Sequence, residues 1–363
     1  VQMSNSTANR IVGTGATLTV AAGQSILGSG QVGAGGSLAL VNNGTFSATQ
    51  AAPLTLHTTA GVGNNSVLRA DGGTLVLQAT AITQGALGRL EALNGSTVQL
   101  SSASVTGGSF TTSGGGAIAT AAGTASALSG VTNNGSFNVV NNSFLTLDGN
   151  LTNHGSVNLQ SLGNATDLVV TGARTIGGSG VINLSNTQAN RIHGAGGTLT
   201  LGGAQTLQGA GTIGAGAAGF GFVNQGTVIA SQSAGLLINA AAGVTNTGAL
   251  RADGGTLQLQ TTVNSGGGSI EARNGSQVQL LNGAVINNAN FSATGAGSLI
   301  TTVGGGALIT LGGGTVSGPM TIANNSFVRQ TGNLVYNGTL NMASAGNATD
   351  LRIDGVRSIT GTA

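Results

Sequence analysis

The feature that most constrains this chain is an internal repeat half a chain long. The stretch ANRIVGTGATLTV at 8–20 returns as ANRIHGAGGTLTL at 189–201, in a chain of 363 residues. A second pair shows nearly the same spacing, because LRADGGTL at 68–75 returns unchanged at 250–257. Self-similarity at a fixed period is the signature of a repeat architecture, in which structural units stack on their neighbours. The sequence therefore predicts two units, 1–181 and 182–363.

The two units also join in phase. The last residues of the chain, GVRSITGTA at 355–363, match GARTIGGSG at 172–180. The first residues, VQMSNSTANRI at 1–11, match INLSNTQANRI at 182–192. The end of one unit is thus followed in sequence by the beginning of the next. We expect one continuous solenoid that is a window from a longer tandem array, continued either covalently or by head-to-tail stacking of further copies.

A shorter period runs inside each unit, and at about 20 to 22 residues it is typical of a stacked repeat. A frame of the form x-Asn-x-Gly-[Ser/Thr/Ala]-apolar marks it. The frame occurs as VNNGTF (41–46), TNNGSF (132–137), TNHGSV (152–157), VNQGTV (223–228), TNTGAL (245–250) and VYNGTL (335–340). Runs of alternating apolar and polar residues, such as TLVLQ and TVQL, surround these frames. Alternation with period 2, punctuated by Asn-Gly, indicates short strands separated by turns.

The repeated register favours a parallel β-solenoid over a β-sandwich. A sandwich has a fixed number of strands and does not explain a pattern that recurs through the whole chain. In a solenoid, each coil supplies two or three strands, and Gly and Asn form corners that need positive φ or close backbone approach. We predict an all-β β-solenoid with coils of about 20–22 residues and about nine coils per unit. At ~4.8 Å per coil, both units together form an elongated rod roughly 85 Å long.

Opposite charges fall in register on successive coils. Aligning LRADGG at 250–255 with IEARNG at 270–275 places Glu271 over Arg251 and Arg273 over Asp253. The first unit has only one of these two pairs, because Asp71 aligns with Leu93. The predicted pairs between coils are Arg69 with Glu91, Arg251 with Glu271, and Asp253 with Arg273. Exposed pairs contribute only ~0.2–1 kcal/mol each. We therefore expect these pairs to define the register of the coils more than to stabilise them.

Composition excludes several classes of protein. Gly accounts for 67 residues and Pro for 2, without the period of collagen. Disorder requires low hydrophobicity and high net charge, whereas 39% of residues are apolar and the net charge is +2. All ten basic residues are Arg, scattered along the chain, so no basic face predicts nucleic-acid binding. No run reaches the ~18 apolar residues of a membrane span, and without Cys the chain has no thiol chemistry.

The frames and the texture of VLRADGGTLVLQ, rich in Gly, Asn, Thr and Ala, resemble the repeat regions of filamentous-haemagglutinin-type exoproteins and autotransporter passengers. The resemblance covers essentially the whole chain. It implies a right-handed parallel β-helix on the surface of a Gram-negative bacterium, serving as an adhesin, a biofilm component or a stalk. The lack of Cys agrees with a chain that is threaded unfolded through an outer-membrane pore and then folds coil by coil.

Parallel β-helices also include polysaccharide lyases and glycosidases, so enzymatic activity needs testing against the residues. Glycoside hydrolysis needs two carboxylates facing each other across the scissile bond. Most acidic residues instead recur at equivalent places in both units, as Asp71 does with Asp253 and Asp167 with Asp350. Such recurrence is expected of a structural feature rather than of a catalytic site. We predict no catalytic residue and no enzymatic activity.

Cofactor and metal sites are also not predicted. Two matches to G-x-G-x-x-G, at 28–33 and 209–214, are followed by no helical pattern, so they indicate tight corners rather than a dinucleotide site. The histidines His57, His154 and His193 have no close His, Cys or acidic companion at metal-ligand spacing. The sequence therefore predicts neither a cofactor nor a metal ion.

We expect a non-enzymatic structural and adhesive stalk of a large secreted surface protein or extracellular fibre, a rigid spacer that acts in adhesion or biofilm. Its expected partners are further copies of the repeat and host, surface or matrix glycans. A glycan-binding β-helix module, and then a polysaccharide-active enzyme, are the alternatives. Glycan sites usually carry exposed aromatics, and the sequence has one Tyr, Tyr336, and no Trp. Four recurring phenylalanines are expected in the core or at the ends: Phe110, Phe144, Phe291 and Phe327.

Overall fold

The structure, a computed structural model, describes residues 1–362. Over this range the chain forms 49 β-strands and no helix, so it has no helix long and apolar enough to cross a membrane. The strands form three parallel sheets, stacked as a β-solenoid of about 16 turns. The prediction of an all-β parallel solenoid is confirmed.

Contacts divide the chain into two compact units. Unit 1 comprises Val1–Gln160, Asn164–Val169 and Arg174–Val181, and unit 2 comprises Ser161–Gly163, Val170–Ala173 and the chain from Ile182 onward. Most of each sequence repeat therefore lies within one unit, and two short segments before residue 182 belong to the second.

The strands of unit 1 are β1 (Arg10–Ile11), β2 (Thr17–Val20), β3 (Ser25–Gly28), β4 (Gly30–Val32), β5 (Ala39–Asn42), β6 (Thr45–Ala48), β7 (Leu54–Leu56), β8 (Val62–Asn64), β9 (Val67–Asp71), β10 (Thr74–Gln78), β11 (Ala81–Gln84), β12 (Arg89–Leu93), β13 (Thr97–Ser101), β14 (Ser104–Thr106), β15 (Ser109–Thr112), β16 (Ala117–Thr120), β17 (Ala125–Ser129), β18 (Val131–Asn133), β19 (Ser136–Val140), β20 (Phe144–Leu147), β21 (Leu151–Asn153), β22 (Ser156–Gln160), β23 (Thr166–Val170) and β24 (Ala173–Gly177). Val170 and Ala173, at the ends of the last two strands, belong to unit 2.

The strands of unit 2 are β25 (Val181–Leu184), which starts one residue before the unit boundary, β26 (Asn190–His193), β27 (Thr198–Leu201), β28 (Thr206–Gly209), β29 (Gly211–Ile213), β30 (Gly221–Asn224), β31 (Thr227–Ala230), β32 (Leu236–Ile238), β33 (Val244–Asn246), β34 (Ala249–Asp253), β35 (Thr256–Leu259), β36 (Thr262–Ser265), β37 (Ser269–Arg273), β38 (Gln277–Leu280), β39 (Val285–Asn287), β40 (Ala289–Thr294), β41 (Leu299–Thr302), β42 (Ala307–Leu311), β43 (Gly314–Ser317), β44 (Met320–Ala323), β45 (Ser326–Gln330), β46 (Leu334–Asn337), β47 (Leu340–Ala343), β48 (Asp350–Ile353) and β49 (Ile359–Thr360).

Within each unit a strand pairs in parallel with the strand three places later, so one turn contains three strands. In unit 1, Leu90 of β12 lies between Leu68 of β9 and Phe110 of β15, and all three side chains are fully buried. Unit 2 pairs β34 with β37 and β37 with β40 in the same way. Identical positions on successive turns therefore stack into columns, and apolar columns form the core.

The prediction of about nine coils per unit was wrong. Strands β1 and β26 both carry the ANRI motif, so one repeat spans 25 strands, or eight turns of three strands and one more strand. Turns vary more in length than the sequence frames indicate. Ile118 pairs with Phe137 one turn later, whereas Thr152 pairs with Gly177, which lies clearly further along the chain. The additional residues lie in corners that the Asn-Gly frames do not mark.

The core is largely aliphatic. In β10, Leu75 and Leu77 point inward and are fully buried, whereas Thr74 and Val76 are half-buried on the outer face. Successive strand side chains point to opposite faces, so a five-residue strand contributes only two or three residues to the core. Leu, Ile and Val fill most of these positions, and a few phenylalanines fill the rest.

The glycine of the repeated frame is required by close approach of the neighbouring turn rather than by positive φ. Gly155 has no positive φ, but a Cβ on it would overlap the carbonyl oxygen of Gly135 one turn earlier. Gly248 of unit 2 meets the carbonyl oxygen of Gly226 in the same way. Any larger residue at these positions pushes two turns apart.

We expect Gly155→Ala to destabilise the protein by about 1–3 kcal/mol, because the added methyl overlaps backbone that cannot move aside. Gly177→Ala is the matched control. Gly177 also lacks a positive φ, and a Cβ there has no atom within 4 Å, so its cost should stay within about 0.5 kcal/mol. Urea unfolding followed by circular dichroism measures both changes. Equal losses of stability in the two variants would contradict the explanation from close approach.

Candidate functional site

The Asn of the repeated frame is a buried residue that bonds one turn to the next. Asn42 is fully buried, and its Nδ2 donates to Asn64 Oδ1 at 2.8 Å and to the carbonyl oxygen of Val67 at 2.9 Å. Asn64 Nδ2 donates onward to Gln84 Oε1 at 3.1 Å. Asn42 Oδ1 also accepts from Gly44 N at 3.3 Å, which holds the corner. We call such a column an Asn ladder.

Asn ladders recur in both units. In unit 1, Asn133 Nδ2 donates to Asn153 Oδ1 at 2.8 Å. In unit 2, Asn224 Nδ2 donates to Asn246 Oδ1 at 2.8 Å, and Asn246 Nδ2 donates to Ser265 Oγ at 3.4 Å. A buried polar group left without a partner costs about 1–3 kcal/mol. Each Asn-to-Asn hydrogen bond of a ladder therefore favours one register of the adjacent turns. From the sequence, these asparagines are expected only to form turns.

The last frame, VYNGTL at 335–340, departs from the ladder. Tyr336 occupies the position of the buried Asn, is 7% exposed, and its hydroxyl lies 3.8 Å from Met320 Sδ. Burial raises the pKa of Tyr336 to about 12. The one Tyr of the chain is thus a core residue and offers no exposed ring on which a sugar could stack.

The ANRI motif near the start of each repeat forms a clip between two turns. Asn9 Nδ2 donates to the carbonyl oxygens of Ser4 at 2.8 Å and Ser29 at 3.1 Å, which joins its own loop to the following turn. Asn190, the equivalent residue of unit 2, is fully buried, and its Nδ2 donates to the carbonyl oxygen of Ala210 at 3.1 Å. The recurrence of ANRI therefore reflects a specific tertiary connection.

The loop before each clip reaches across two turns. In unit 1, Asn5 Oδ1 accepts from the distant Ala52 N at 2.8 Å. In unit 2, Asn186 Oδ1 accepts from Ala234 N at 2.8 Å, and Gln188 Nε2 donates to the carbonyl oxygen of Ala234 at 2.6 Å. These bonds link turns that are not adjacent. Nothing in the sequence indicates them beyond the strictness of the repeat.

A charged cluster on unit 2 centres on Glu271. Arg251 Nε and Arg273 Nη2 each lie 2.8 Å from Glu271 Oε2, and Ser269 Oγ donates to Glu271 Oε1 at 2.6 Å. The Glu271 side chain is 10% exposed. Burial alone raises the pKa of Glu271, but the bonds from Ser269 and Arg251 and the charges of both arginines outweigh it and lower the pKa below its ordinary value of 4.5. The carboxylate is therefore held ionised.

The side chains of Asp253 and Arg273, which the sequence predicts to pair, have other partners. The two residues lie opposite each other in the strand register, but the Arg273 guanidinium contacts Glu271. Asp253 Oδ1 instead accepts from Asn274 Nδ2 at 2.9 Å. Glu271 lies two residues from Arg273 on the same face of one strand, so the guanidinium reaches this more buried carboxylate.

Unit 1 carries a similar cluster on Glu91. Arg69 Nε lies 2.5 Å from Glu91 Oε2, and Arg89 Nε lies 3.6 Å from Glu91 Oε1. Asp71 Oδ1 accepts from Asn94 Nδ2 at 2.9 Å, as its counterpart does in unit 2. In each unit two arginines thus contact one glutamate, and the aspartate accepts a hydrogen bond from the side-chain amide of an asparagine in the next turn.

A shallow cleft lies beside each cluster, where the strands turn. The cleft of unit 1 has a volume of about 250 Å³ and that of unit 2 about 430 Å³. Both are lined mainly by two adjacent Gly-rich corners, with one residue from the preceding turn. The unit 1 cleft is lined by Ala51, Gly72, Gly73, Thr74, Asn94, Gly95, Ser96 and Thr97, and the unit 2 cleft by Ser233, Gly254, Gly255, Thr256, Asn274, Gly275, Ser276 and Gln277. Their linings offer hydroxyls, amides and backbone groups, but no aromatic ring.

The four recurring phenylalanines are either buried in the core or half-buried. Phe110 and Phe291 are buried, and Phe110 stacks on Phe137 with ring centroids 5.7 Å apart. Phe144 and Phe327 are half-buried. The Arg352 guanidinium lies 4.2 Å from the centroid of the Phe327 ring and covers its face.

The histidines and the G-x-G-x-x-G stretches do not converge on a site. His57 and His193 are half-buried in unit 1 and unit 2, and His154 is exposed with Nδ1 3.3 Å from Ser179 Oγ. Among residues 1–362, no three His, Asp or Glu side chains gather as metal ligands would. Gly28 and Gly30 of the first stretch have positive φ and face the carbonyl oxygens of Met3 and Asn9.

Comparison of the chain with known protein families, curated proteins and solved structures found no match.

We expect Asn64→Ala to lower the free energy of unfolding by about 1–3 kcal/mol, because it removes a buried amide of the ladder and leaves one of the two Asn42 Nδ2 hydrogens without its acceptor. Asn65→Ala is the matched control, since Asn65 is the adjacent residue, is exposed, and its side chain bonds Asn43 on the surface. Its effect should stay within about 0.5 kcal/mol. Urea titration measures both, and a ladder without structural importance would give two equally small effects.

We expect Glu271→Gln to destabilise the protein by on the order of 1–2 kcal/mol at neutral pH, because two arginines lose their counter-ion. The folded-state pKa is lowered, so the stabilisation is present above 4.5 and is lost as pH falls through the lowered pKa. The variant and the parent should therefore converge in stability in acid. Asp354→Asn is the control, because the Asp354–Arg329 pair is half exposed. A difference that persists unchanged at low pH would contradict the assignment.

Proposed function

We propose that this chain is a non-enzymatic structural and adhesive module of a large secreted bacterial surface protein or extracellular fibre, acting as a rigid repetitive spacer. One observation supports the proposal most directly. The polar groups that recur in both units bond one turn to the next: the Asn ladders, the Asn9 and Asn190 clips, and the clusters on Glu91 and Glu271. A repeat that uses its polar side chains for internal connections is suited to bearing load.

The proposed mechanism is mechanical. Parallel pairing places main-chain hydrogen bonds between successive turns, and the buried Leu and Ile columns add an apolar core within each unit. Solenoid stability is close to a sum of nearest-neighbour interfaces, so such a module can be lengthened by adding turns. Further copies of the unit are the proposed partners, as the internal repeat suggests. Adhesion then arises from outer faces that are presented many times.

A location outside the cell or on its surface belongs to the same proposal. The chain has no Cys, and 5% of its residues are charged. A chain without disulfides can pass a membrane pore unfolded, and a solenoid can then fold by adding one turn after another to a growing end. The resemblance to surface exoproteins suggests this route.

A glycan-binding module is the second candidate, favoured by the two clefts. They occupy equivalent places in the two units and present the same kinds of groups, including Asn94 and Asn274. Hydroxyl and amide groups recognise sugar hydroxyls. The polarity of the linings permits such binding, although most glycan sites also use an aromatic platform.

A glycan array probed with the purified chain separates the two candidates. For a structural and adhesive spacer we expect no dose-dependent preference for one glycan, and the same chain coupled to beads should increase their retention on surfaces under flow. Beads coated with an unrelated soluble protein are the control. Saturable binding to one glycan class, abolished by Asn94→Ala together with Asn274→Ala, would favour the glycan-binding module. Release of reducing ends from a polysaccharide would refute the non-enzymatic proposal.

A further inference from the structure

The Asn-Gly corners of the two clefts form a matched pair in which the nitrogens of the two glycines differ in hydrogen bonding. Asn94 and Asn274 are both exposed and both adopt positive φ, of 52° and 53°. Each Nδ2 donates to an aspartate one turn earlier at 2.9 Å, Asn94 to Asp71 and Asn274 to Asp253. Backbone conformation, exposure and side-chain bonding are therefore the same at the two sites.

The difference lies at the nitrogen of the following glycine. Gly275 N donates to Ser298 Oγ of the next turn at 3.0 Å, and this hydroxyl is anchored by donating to the carbonyl oxygen of Thr294 at 2.7 Å. Gly95 N has no hydrogen-bond acceptor among the described residues. Gly95 is exposed, and a Cβ on it would meet no atom within 4 Å.

Strand register explains why unit 1 lacks the acceptor. Ala117 pairs with Thr97, and Leu299 pairs with Gln277, so Gly116 occupies the place that Ser298 holds in unit 2. A Cβ on Gly116 would overlap the carbonyl oxygen of Ala92. The closer approach of the turns in unit 1 therefore excludes a serine, and with it the acceptor for Gly95.

From this difference we infer that Asn94 is a modification site, at which the chain deamidates spontaneously, and that Asn274 is protected. The Gly95 main-chain nitrogen loses its proton to solvent and attacks Asn94 Cγ. The bond from Cγ to the side-chain nitrogen breaks, ammonia leaves, and a five-membered succinimide remains. Water opens this ring at either carbonyl, giving aspartate or isoaspartate. One water is consumed and one ammonia is released, without any change of oxidation state.

The Ser298 hydroxyl protects Asn274 because it occupies the nitrogen that must react. Gly275 N–H has to leave its acceptor before it can lose a proton and attack. A net hydrogen bond corresponds to roughly a two- to tenfold difference in population. Asn94 should therefore deamidate roughly two- to tenfold faster than Asn274 in the folded chain.

The modification changes the unit 1 cleft. The new carboxylate replaces an amide that donates to Asp71, so two carboxylates share one site and repel each other. The net charge of the chain falls from +2 to +1. Isoaspartate in addition lengthens the main chain of the turn by one methylene. Deamidation thus modifies one of two equivalent corners and weakens its contact with the preceding turn as the protein ages.

Peptide mapping by mass spectrometry of the intact chain, aged at mildly alkaline pH, tests the inference. We expect deamidation at Asn94 to exceed that at Asn274 by roughly two- to tenfold, and this ratio to fall towards one when the same chain is aged unfolded in urea. Equal rates in the folded chain would overturn the inference. An unchanged ratio in urea would do so as well, because the flanking sequence would then explain the difference.

Ser298→Ala supplies the reciprocal test, since it removes the acceptor without adding bulk. Deamidation at Asn274 should rise towards the rate at Asn94, while the rate at Asn94 serves as the internal control. No rise at Asn274 would contradict the protective role of the hydroxyl. Amide hydrogen exchange of the unmodified chain is the check that needs no variant. Gly275 N–H should exchange more slowly than Gly95 N–H, and equal exchange would argue against the inference.

Discussion

The structure depends on the parallel pairing of each strand with the strand one turn later. Every main-chain N–H and C=O that is taken from water must find a partner, and in this fold the partner is nearly always on an adjacent turn. Leu68, Leu90 and Phe110 stack because their strands pair in register. A slip of one residue would turn every side chain to the opposite face. Register is therefore the property that the remaining interactions have to specify.

Differences in length between turns are accommodated in the corners, because the strands have to stay paired. The turn from Thr152 to Gly177 is longer than the turn from Ile118 to Phe137, yet the strands of both stay paired. Where two corners approach closely, only glycine fits, as at Gly155. Where they lie further apart, a side chain enters and bonds the neighbouring turn, as that of Ser298 does. The spacing of corners thus decides which residues are exchangeable between equivalent positions.

The polar residues of the repeat form two kinds of connection between turns, one buried and one on the outer face. The Asn ladders lie inside, where an unpaired amide is costly, and they therefore select one register. The arginine–glutamate clusters lie on the outer face, where Arg251 and Arg273 share Glu271. Both devices connect adjacent turns, and the loops of Asn5 and Asn186 add connections across two turns. This redundancy is consistent with the proposed load-bearing role, in which loss of one contact leaves the stack intact.

The sequence by itself determined the fold class, the two-fold repeat and the in-register placement of Arg69 with Glu91 and of Arg251 with Glu271. These features can be predicted from periodicity, because positions that stack on successive turns of a solenoid recur at a regular spacing in the sequence. Only the tertiary structure decided which polar group each charged side chain contacts, so Arg273 contacts Glu271 and Asp253 bonds Asn274. It also decided the number of turns and the burial of Asn42 and Asn64. Corner length and backbone approach set these features, and both depend on distances between turns that a linear pattern does not contain.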